Sequence, residues 1–337
     1  MDRRPTILDV AARAGVSKST VSLVLKNSPQ IKAETAARVR RAMQEVGYVY
    51  NRAAANLRSS STGLIGLVIN DLRNPFFTEF AASFQMALFA RGYATVISNS
   101  GEDAAMQAAI IHSMIEHGVS ALAISPAYGD VTSTFDQLAR ANVPTVQVLR
   151  QVSSRTDKFP FSSFDFVDGG GQAARHLIAS GARRIAFVGG LEGRQITAER
   201  MSGYLSEMQR IGTEPIVLYG QPSRNAGAEL AQQIMREHPQ VDAAICFNDL
   251  VALGMMNALE REGQRVGEDF RLVGFDDLEE SAQSLPPLSS VSCDITSFGE
   301  KTASSLLDWL TKGVVPPATH RQSVRLVTRA SSGGRGV

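Results

Sequence analysis

Apolar and small residues recur at helical spacing in three short stretches near the start of the chain. The first, Thr6–Ala14, puts Val10, Ala11 and Ala14 on one side, with Thr6 as N-cap and Asp9 three positions later in the capping-box place. A turn at Gly15-Val16-Ser17 follows, with Ser17 capping a second helix from Lys18 to Leu25 that turns Val21 and Val24 inward. The third, Ala33 to Val46, carries Ala36, Val39, Met43 and Val46 on one face and stops at Gly47. From Gly63 the pattern changes. Short runs rich in Val and Ile (Leu64–Ile69, Ala94–Ser98, Ala121–Ser125, Thr145–Leu149) alternate with amphipathic stretches such as Phe76–Arg91. A second series begins near Phe164 and includes Ile185–Val188, Ile216–Leu218, Ala243–Phe247 and Leu272–Phe275. Repeated strand-helix units of this kind predict parallel sheets covered on both faces, here as two similar α/β lobes in sequence.

In the first part, Gly15 follows the small Ala11 by four positions, so the chain can bend tightly and the second helix can cross close over the first. That is the helix-turn-helix pattern, in which the second helix enters the DNA major groove. Its outward side chains are Ser17, Lys18, Ser19, Ser22 and Leu23. Lys18 can donate to guanine, Leu23 can touch a thymine methyl, and Ser17, Thr20 and Asn27 suit phosphate oxygens. The competing reading is a helical hairpin that merely packs against something. Charge separates the two. Residues 1–60 hold eleven Lys or Arg against four Asp or Glu, whereas the rest of the chain holds 23 against 29. A basic head on a mildly acidic body predicts a polyanion partner for the head alone.

The remaining composition narrows the class. There is no apolar run long enough for a membrane span, and no apolar segment follows the charged first residues, so no secretory signal is expected. Two cysteines, Cys246 and Cys293, without a CxxC pair fit a reduced, cytoplasmic protein. Gly169-Gly170-Gly171-Gln172-Ala173-Ala174 matches a dinucleotide fingerprint on paper, yet it opens the second series and not a first strand-helix unit. Small residues there are expected to let a helix pack close to its sheet. Of the five histidines only His112 and His117 are close in sequence, and five positions put them off one helical face; no G-x-S-x-G occurs, so no metal, cofactor or catalytic residue is expected. A solute-binding module and a nicotinamide-dependent enzyme stand as the alternatives.

The runs Thr6-Ile7-Leu8-Asp9-Val10-Ala11 and Gly15-Val16-Ser17-Lys18-Ser19-Thr20-Val21-Ser22, then Thr35, Arg38, Val39 and Gly47-Tyr48-Val49-Tyr50-Asn51, resemble the lactose- and galactose-repressor family of bacterial regulators. The resemblance covers nearly the whole chain. It implies an all-α helix-turn-helix headpiece at 1–49 and a hinge at 50–62. A two-lobed α/β effector domain like the sugar-binding periplasmic proteins would follow at 63–330, and a flexible tail at 331–337. The lobes would comprise about 63–161 with 293–322, and 162–292 with 323–330, the chain crossing near Ser162, Ser292 and Gln322. Thr6, Tyr48, Asn51 and Arg52 join the DNA-contacting set by the same resemblance. Hinge helices from two subunits would meet at Ala54 and wedge Leu57 into the minor groove. Tyr50 departs from the proline usual before Asn51. The partners implied are double-stranded, pseudo-palindromic operator DNA, a second copy of the chain, and a sugar-like effector, with no membrane. The tail lacks leucine heptads, so a dimer and not a tetramer is expected.

Candidate effector contacts lie just after strand ends, where such sheets bind small molecules: Asn74 with Phe76 and Phe77, Ser125, Arg150, Arg194, Arg200, Asn248 and Asp276. By the resemblance, Arg200, Asn248 and Asp276 are the polar core, able to hold a polyhydroxylated ring. Plainer roles are open for Phe76 and Phe77 as helix core and for Asp277 as a helix cap. The chain also departs from sugar-binding members, with Leu149 where an Asp is frequent, Pro222 where an aromatic often stacks, and Asp165-Phe166 for an aspartate-asparagine pair. Arg194 falls where one member carries a ligand-contacting arginine, which leaves room for an anionic ligand.

Overall fold

The computed structural model describes residues 3, 5–25, 28–49, 62–129 and 131–333. The chain divides into two compact units, Met1–Thr62 and Gly63–Val337. Asn27, Asn51, Arg52, Ala54 and Leu57, and with them the expected hinge helix, lie outside the described residues.

The first unit is three helices, α1 (Ile7–Ala14), α2 (Lys18–Leu25) and α3 (Ala33–Val46). At the start of α1 the Thr6 backbone N–H and hydroxyl both donate to the Asp9 carboxylate at 2.7 Å, which holds Asp9 below its ordinary range. Gly15 ends α1 in the left-handed region at φ 61°, where a side chain would be strained, and the Val16 N–H returns to the Ala11 carbonyl. Gly47 ends α3 in the same way at φ 66°. The core is Val10, Ala11, Ala14, Val21, Val24, Val39 and Ala42. Ala42 is one position from the face expected for α3, where Ala36, Met43 and Val46 are only partly buried.

The second unit holds two six-stranded sheets. In the first, β1 (Leu64–Ile69), β2 (Ala94–Asn99), β3 (Ala121–Ile124), β4 (Thr145–Val148), β5 (Phe161–Phe164) and β11 (Thr319–Gln322) run in the order β11-β5-β4-β3-β1-β2, all parallel. In the second, β6 (Ile185–Val188), β7 (Ile216–Leu218), β8 (Ala243–Cys246), β9 (Arg271–Asp276), β10 (Ser289–Ser292) and β12 (Arg325–Val327) run β12-β10-β9-β8-β6-β7, with β12 alone antiparallel. The helices that matter below are α4 (Pro75–Phe89), α5 (Ala104–Glu116), α6 (Thr132–Ala141), α7 (Phe166–Ala179), α8 (Gln195–Arg210), α9 (Arg224–Glu237), α10 (Asp249–Arg261), α11 (Glu279–Gln283) and α12 (Ile295–Lys312).

Two expectations need correction. Phe161–Phe164 is not the start of the second lobe. It is a strand of the first sheet, paired with β4 on one side and β11 on the other, so the chain crosses after Phe164 and not near Ser162. The serines that break its apolar run are accommodated because the Ser163 hydroxyl donates to the Leu149 carbonyl inside the sheet. The other two crossings lie between Ser292 and Ile295 and between Gln322 and Arg325, near the positions expected. The tail is also not free from 331 onward. Ser331 and Ser332 are fully buried; the Ser331 hydroxyl donates to the Leu272 carbonyl and accepts from the Ser289 N–H.

The glycine run forms part of α7. A Cβ on Gly170 would come within 2.1 Å of the Arg200 carbonyl oxygen, and one on Gly203 within 2.1 Å of that of Val167. These glycines let α7 and α8 cross at backbone contact, while Gly169 packs on Phe275, Val291 and Val324 of the second lobe. The expected packing against the sheet accounts for Gly169 only; Gly170 serves a helix-helix contact.

Candidate functional site

In the headpiece, the Ser17 hydroxyl accepts from the Thr20 N–H at 3.1 Å and bonds the Ser19 and Thr20 hydroxyls, so it caps α2. Lys18 and Ser19 are exposed, and Thr20, Ser22 and Leu23 are half-buried. Leu23 is absent from the headpiece core although it is the largest apolar residue at the centre of α2. Val21 and Val24 turn inward, so Lys18, Ser19, Ser22 and Leu23 form the outer face that a groove would meet. Thr6 is an N-cap, and Tyr48 packs against the headpiece core.

In the second unit the strand-end residues of the two sheets converge. Arg200, on the first turns of α8, donates to an Asp276 carboxylate oxygen at 2.8 Å and to the Phe247 carbonyl. Both charged side chains are 4% exposed. Three rings surround the guanidinium, with centroids 4.6 Å (Phe166), 4.8 Å (Phe247) and 4.4 Å (Phe275) away. Burial pushes Asp276 up to about 6, opposed by Arg200 beside it. Asn248 accepts from the Val251 N–H and caps α10. Next to it, the fully buried Asp249 accepts from Ser281, Ser290 and the Leu278 N–H at 2.6 to 2.8 Å. Burial first, and then the neighbouring Asp276, push Asp249 up to about 7. Asp277 is no helix cap; it pairs with Arg329 at 2.8 Å.

On the first sheet, Arg150 follows Leu149, whose φ of 67° is a conformation β-carbon sterics disfavour. Arg150 meets Glu102 in a two-pronged ion pair, 2.6 and 2.8 Å. The Asn70 amide donates to Glu102 and to the Pro126 carbonyl. The Tyr128 ring lies 4.2 Å from the Arg150 guanidinium carbon and 4.0 Å from that of Arg194, so a side chain from each lobe reaches one ring. Burial raises the Tyr128 hydroxyl above its ordinary range and keeps it neutral. Non-glycine residues with positive φ gather at these strand ends, at Glu102, Leu149, Asp276 and Asp277. Such strain persists only where surrounding contacts hold it, and it collects at binding sites.

Four buried polar atoms here have no hydrogen-bond partner among the described residues: Asn70 Oδ1, Ser125 Oγ, Thr197 Oγ1 and Arg200 Nε. An unpaired buried polar group costs about 1–3 kcal/mol, so together they mark a place built for something polar. Asn74, Phe76 and Phe77 are different. Asn74 caps α4, while Phe76 and Phe77 are core rings, Phe76 edge-on to Phe164 at 6.3 Å. Sequence reasoning missed Asn70, Glu102, Tyr128 and Thr197. The strand-end rule that found Ser125 also reaches Asn70, the first residue after β1; no local signal marked Tyr128. No group of His, Cys, Asp or Glu able to hold a metal exists among the described residues.

Comparison with known proteins gives matches along the chain. Residues 62–330 match the family described as periplasmic binding proteins and sugar binding domain of LacI family, and residues 6–51 match bacterial regulatory proteins, lacI family. The lactose operon repressor of Escherichia coli (strain K12) is 31% identical over 97% of this chain and 90% of its own. A crystal structure of the lac repressor dimer bound to operator and the anti-inducer ONPF superposes with a TM-score of 0.86 at 29% identity, covering 98% of this chain and 99% of that one. A complex of the transcriptional regulator CelR with cellobiose superposes at 0.73, also 29% identical, over 97% of this chain and 100% of that one.

Proposed function

This chain belongs to the lacI family of bacterial regulatory proteins, and from that premise we propose that it is a transcriptional repressor whose hold on DNA is set by a sugar-like molecule bound between the two lobes. The chain acts as a dimer, each headpiece reading one half of a pseudo-palindromic operator. Lys18, Ser19, Ser22 and Leu23 carry the base contacts of α2, and Ser17 and Thr20 carry phosphate contacts. Leu57 and Ala54 act in the hinge. The effector lies against Asn70, Ser125, Arg150, Arg194, Thr197, Arg200, Asn248 and Asp276. Acting on chromosomal DNA, the protein works in the cytoplasm.

One observation carries the effector reading: buried polar groups without partners gather at strand ends from both sheets, around the Arg200–Asp276 pair. A ligand bound there touches both lobes, so its binding favours one lobe arrangement by roughly 1–3 kcal/mol, the usual size of such coupling. The sugar ligand named for the CelR complex agrees with this chemistry.

The test has two halves. Selection of duplexes from a random pool by the full chain should enrich a two-fold symmetric motif, lost in Lys18→Ala. A thermal-shift screen against sugars, sugar acids, polyols and purines should give a ligand that alters operator binding. Its affinity should fall in Ser125→Ala and Thr197→Val, variants that keep the ion pair intact. An asymmetric motif or none refutes the DNA half, and undiminished affinity in both variants refutes the site.

A further inference from the structure

The charges around the cleft do not balance. Arg200 is matched by Asp276 and Arg150 by Glu102. Arg194 is half-buried and stacked on the ring that Arg150 also meets, yet no carboxylate among the described residues pairs with it. Asp249, the other buried acid nearby, is held by Ser281, Ser290 and the Leu278 N–H behind the Gly274 backbone. Two guanidiniums drawn to one neutral ring repel each other, and a single bidentate carboxylate offsets only one of them. The surplus cation shares the Tyr128 ring with Arg150, whose carboxylate partner Glu102 also accepts from the Asn70 amide. Asn70 Oδ1 and the Oγ of the fully buried Ser125 are unpartnered, as is Oγ1 of Thr197 in the same loop-helix segment as Arg194.

Resting on the effector reading above, we infer that this cleft takes an acidic sugar-like ligand. Its carboxylate or phosphate meets Arg194, its hydroxyls meet the unpartnered groups, and Tyr128 supplies the aromatic wall. A guanidinium matches either anion with paired N–H donors, and it loses less on desolvation than an ammonium would. Tyr128 is fixed by its two cation contacts before the ligand arrives, so little ring entropy is lost on binding. The loop after β7 has Pro222 at the position where related sugar-binding chains often stack an aromatic, which leaves this role open.

Calorimetry on the full chain with matched pairs tests this: D-galactose against D-galacturonate, D-glucitol against D-gluconate, and D-glucose against D-glucose 6-phosphate. In at least one pair the acid should bind about tenfold or more tighter than its neutral partner, a difference of about 1.4 kcal/mol. The galacturonate and gluconate arms against the phosphate arm tell which anion is read. Arg194→Gln should erase the acid's advantage, bringing its affinity to within about twofold of its neutral partner's in the same variant, a gap of about 0.4 kcal/mol. Tyr128→Ala should weaken both members of the pair, and Tyr128→Phe should restore them. Neutral members binding as well as acids, or an acid advantage that survives Arg194→Gln, overturns the inference while leaving the effector reading intact. Binding by no acid overturns it as well, and binding by none of the panel counts against both.

Discussion

Thr197 shows how a single residue can trade stability for binding. Its hydroxyl is buried and unpartnered, and a Cβ on Gly190 would meet both branches of its side chain, so its branched shape fills the space beside Gly190. Valine has that shape without the orphaned oxygen. Thr197→Val should therefore leave stability unchanged or raise it by about 1 kcal/mol in urea unfolding, while effector affinity falls. A clear loss of stability would mean the hydroxyl has a partner in the folded protein. Asp249 makes a different case. Its pKa is raised to about 7 from an unfolded value near 3.8, so the folded state holds the proton more tightly than the unfolded chain does. The stabilising contribution is complete below the unfolded value and is lost as pH rises through about 7. Unfolding midpoints should fall across that window, and Asp249→Asn, which stays neutral, should flatten the fall. An unchanged slope in the variant would assign the pH dependence elsewhere, Asp276 being the nearest other candidate.

At the scale of elements, the crossing of α7 and α8 sets where Arg200 stands. The first turns of α8 bring Arg200 beneath Phe166, the first residue of α7, and the glycines permit that approach. Gly170→Ala would force the helix backbones apart, because its Cβ would meet the Arg200 carbonyl itself. Overpacking of this kind typically costs about 1–3 kcal/mol. A matching drop in the urea midpoint is expected, together with weaker effector binding, since the Arg200 backbone must shift. Normal effector affinity in a destabilised Gly170→Ala protein would show that the crossing holds the fold but not the site. The glycines of the dinucleotide-like run lie inside α7, with Gly169 and Gly170 packed against protein atoms.

For the whole molecule, the separation of charge predicts different salt responses for its two activities. The basic excess lies within residues 1–60, and the remaining chain is acidic in balance. A dimer making roughly 6–10 phosphate contacts should lose about 10³–10⁵ in DNA affinity between about 50 and about 200 mM salt. Effector binding, which neutralises one cation at most, should change by less than about tenfold over the same range. Fluorescence anisotropy for DNA and calorimetry for ligand would measure both, and parallel salt slopes would contradict this division of labour.

The sequence by itself determined what depends on near neighbours. Three headpiece helices, the Thr6–Asp9 cap, the Gly15 and Gly47 stops and most strands were legible because capping and periodicity act within a few residues. That Ser125, Arg150, Asn248 and Asp276 stand at strand ends was legible as well, since a strand end in a parallel sheet is a predictable address. What only the tertiary structure decided was partnership across long separations. Nothing local says that Phe161–Phe164 pairs with β11, which lies far along the chain, or that Ser331 docks beside Leu272. The sequence could not tell that Phe76 and Phe77 face the core, that Arg200 is ringed by Phe166, Phe247 and Phe275, or that Tyr128 takes a guanidinium from each lobe. Those contacts join residues that no short-range pattern links. They exist because the two sheets bring their strand ends together, and the chemistry of the cleft depends on that meeting.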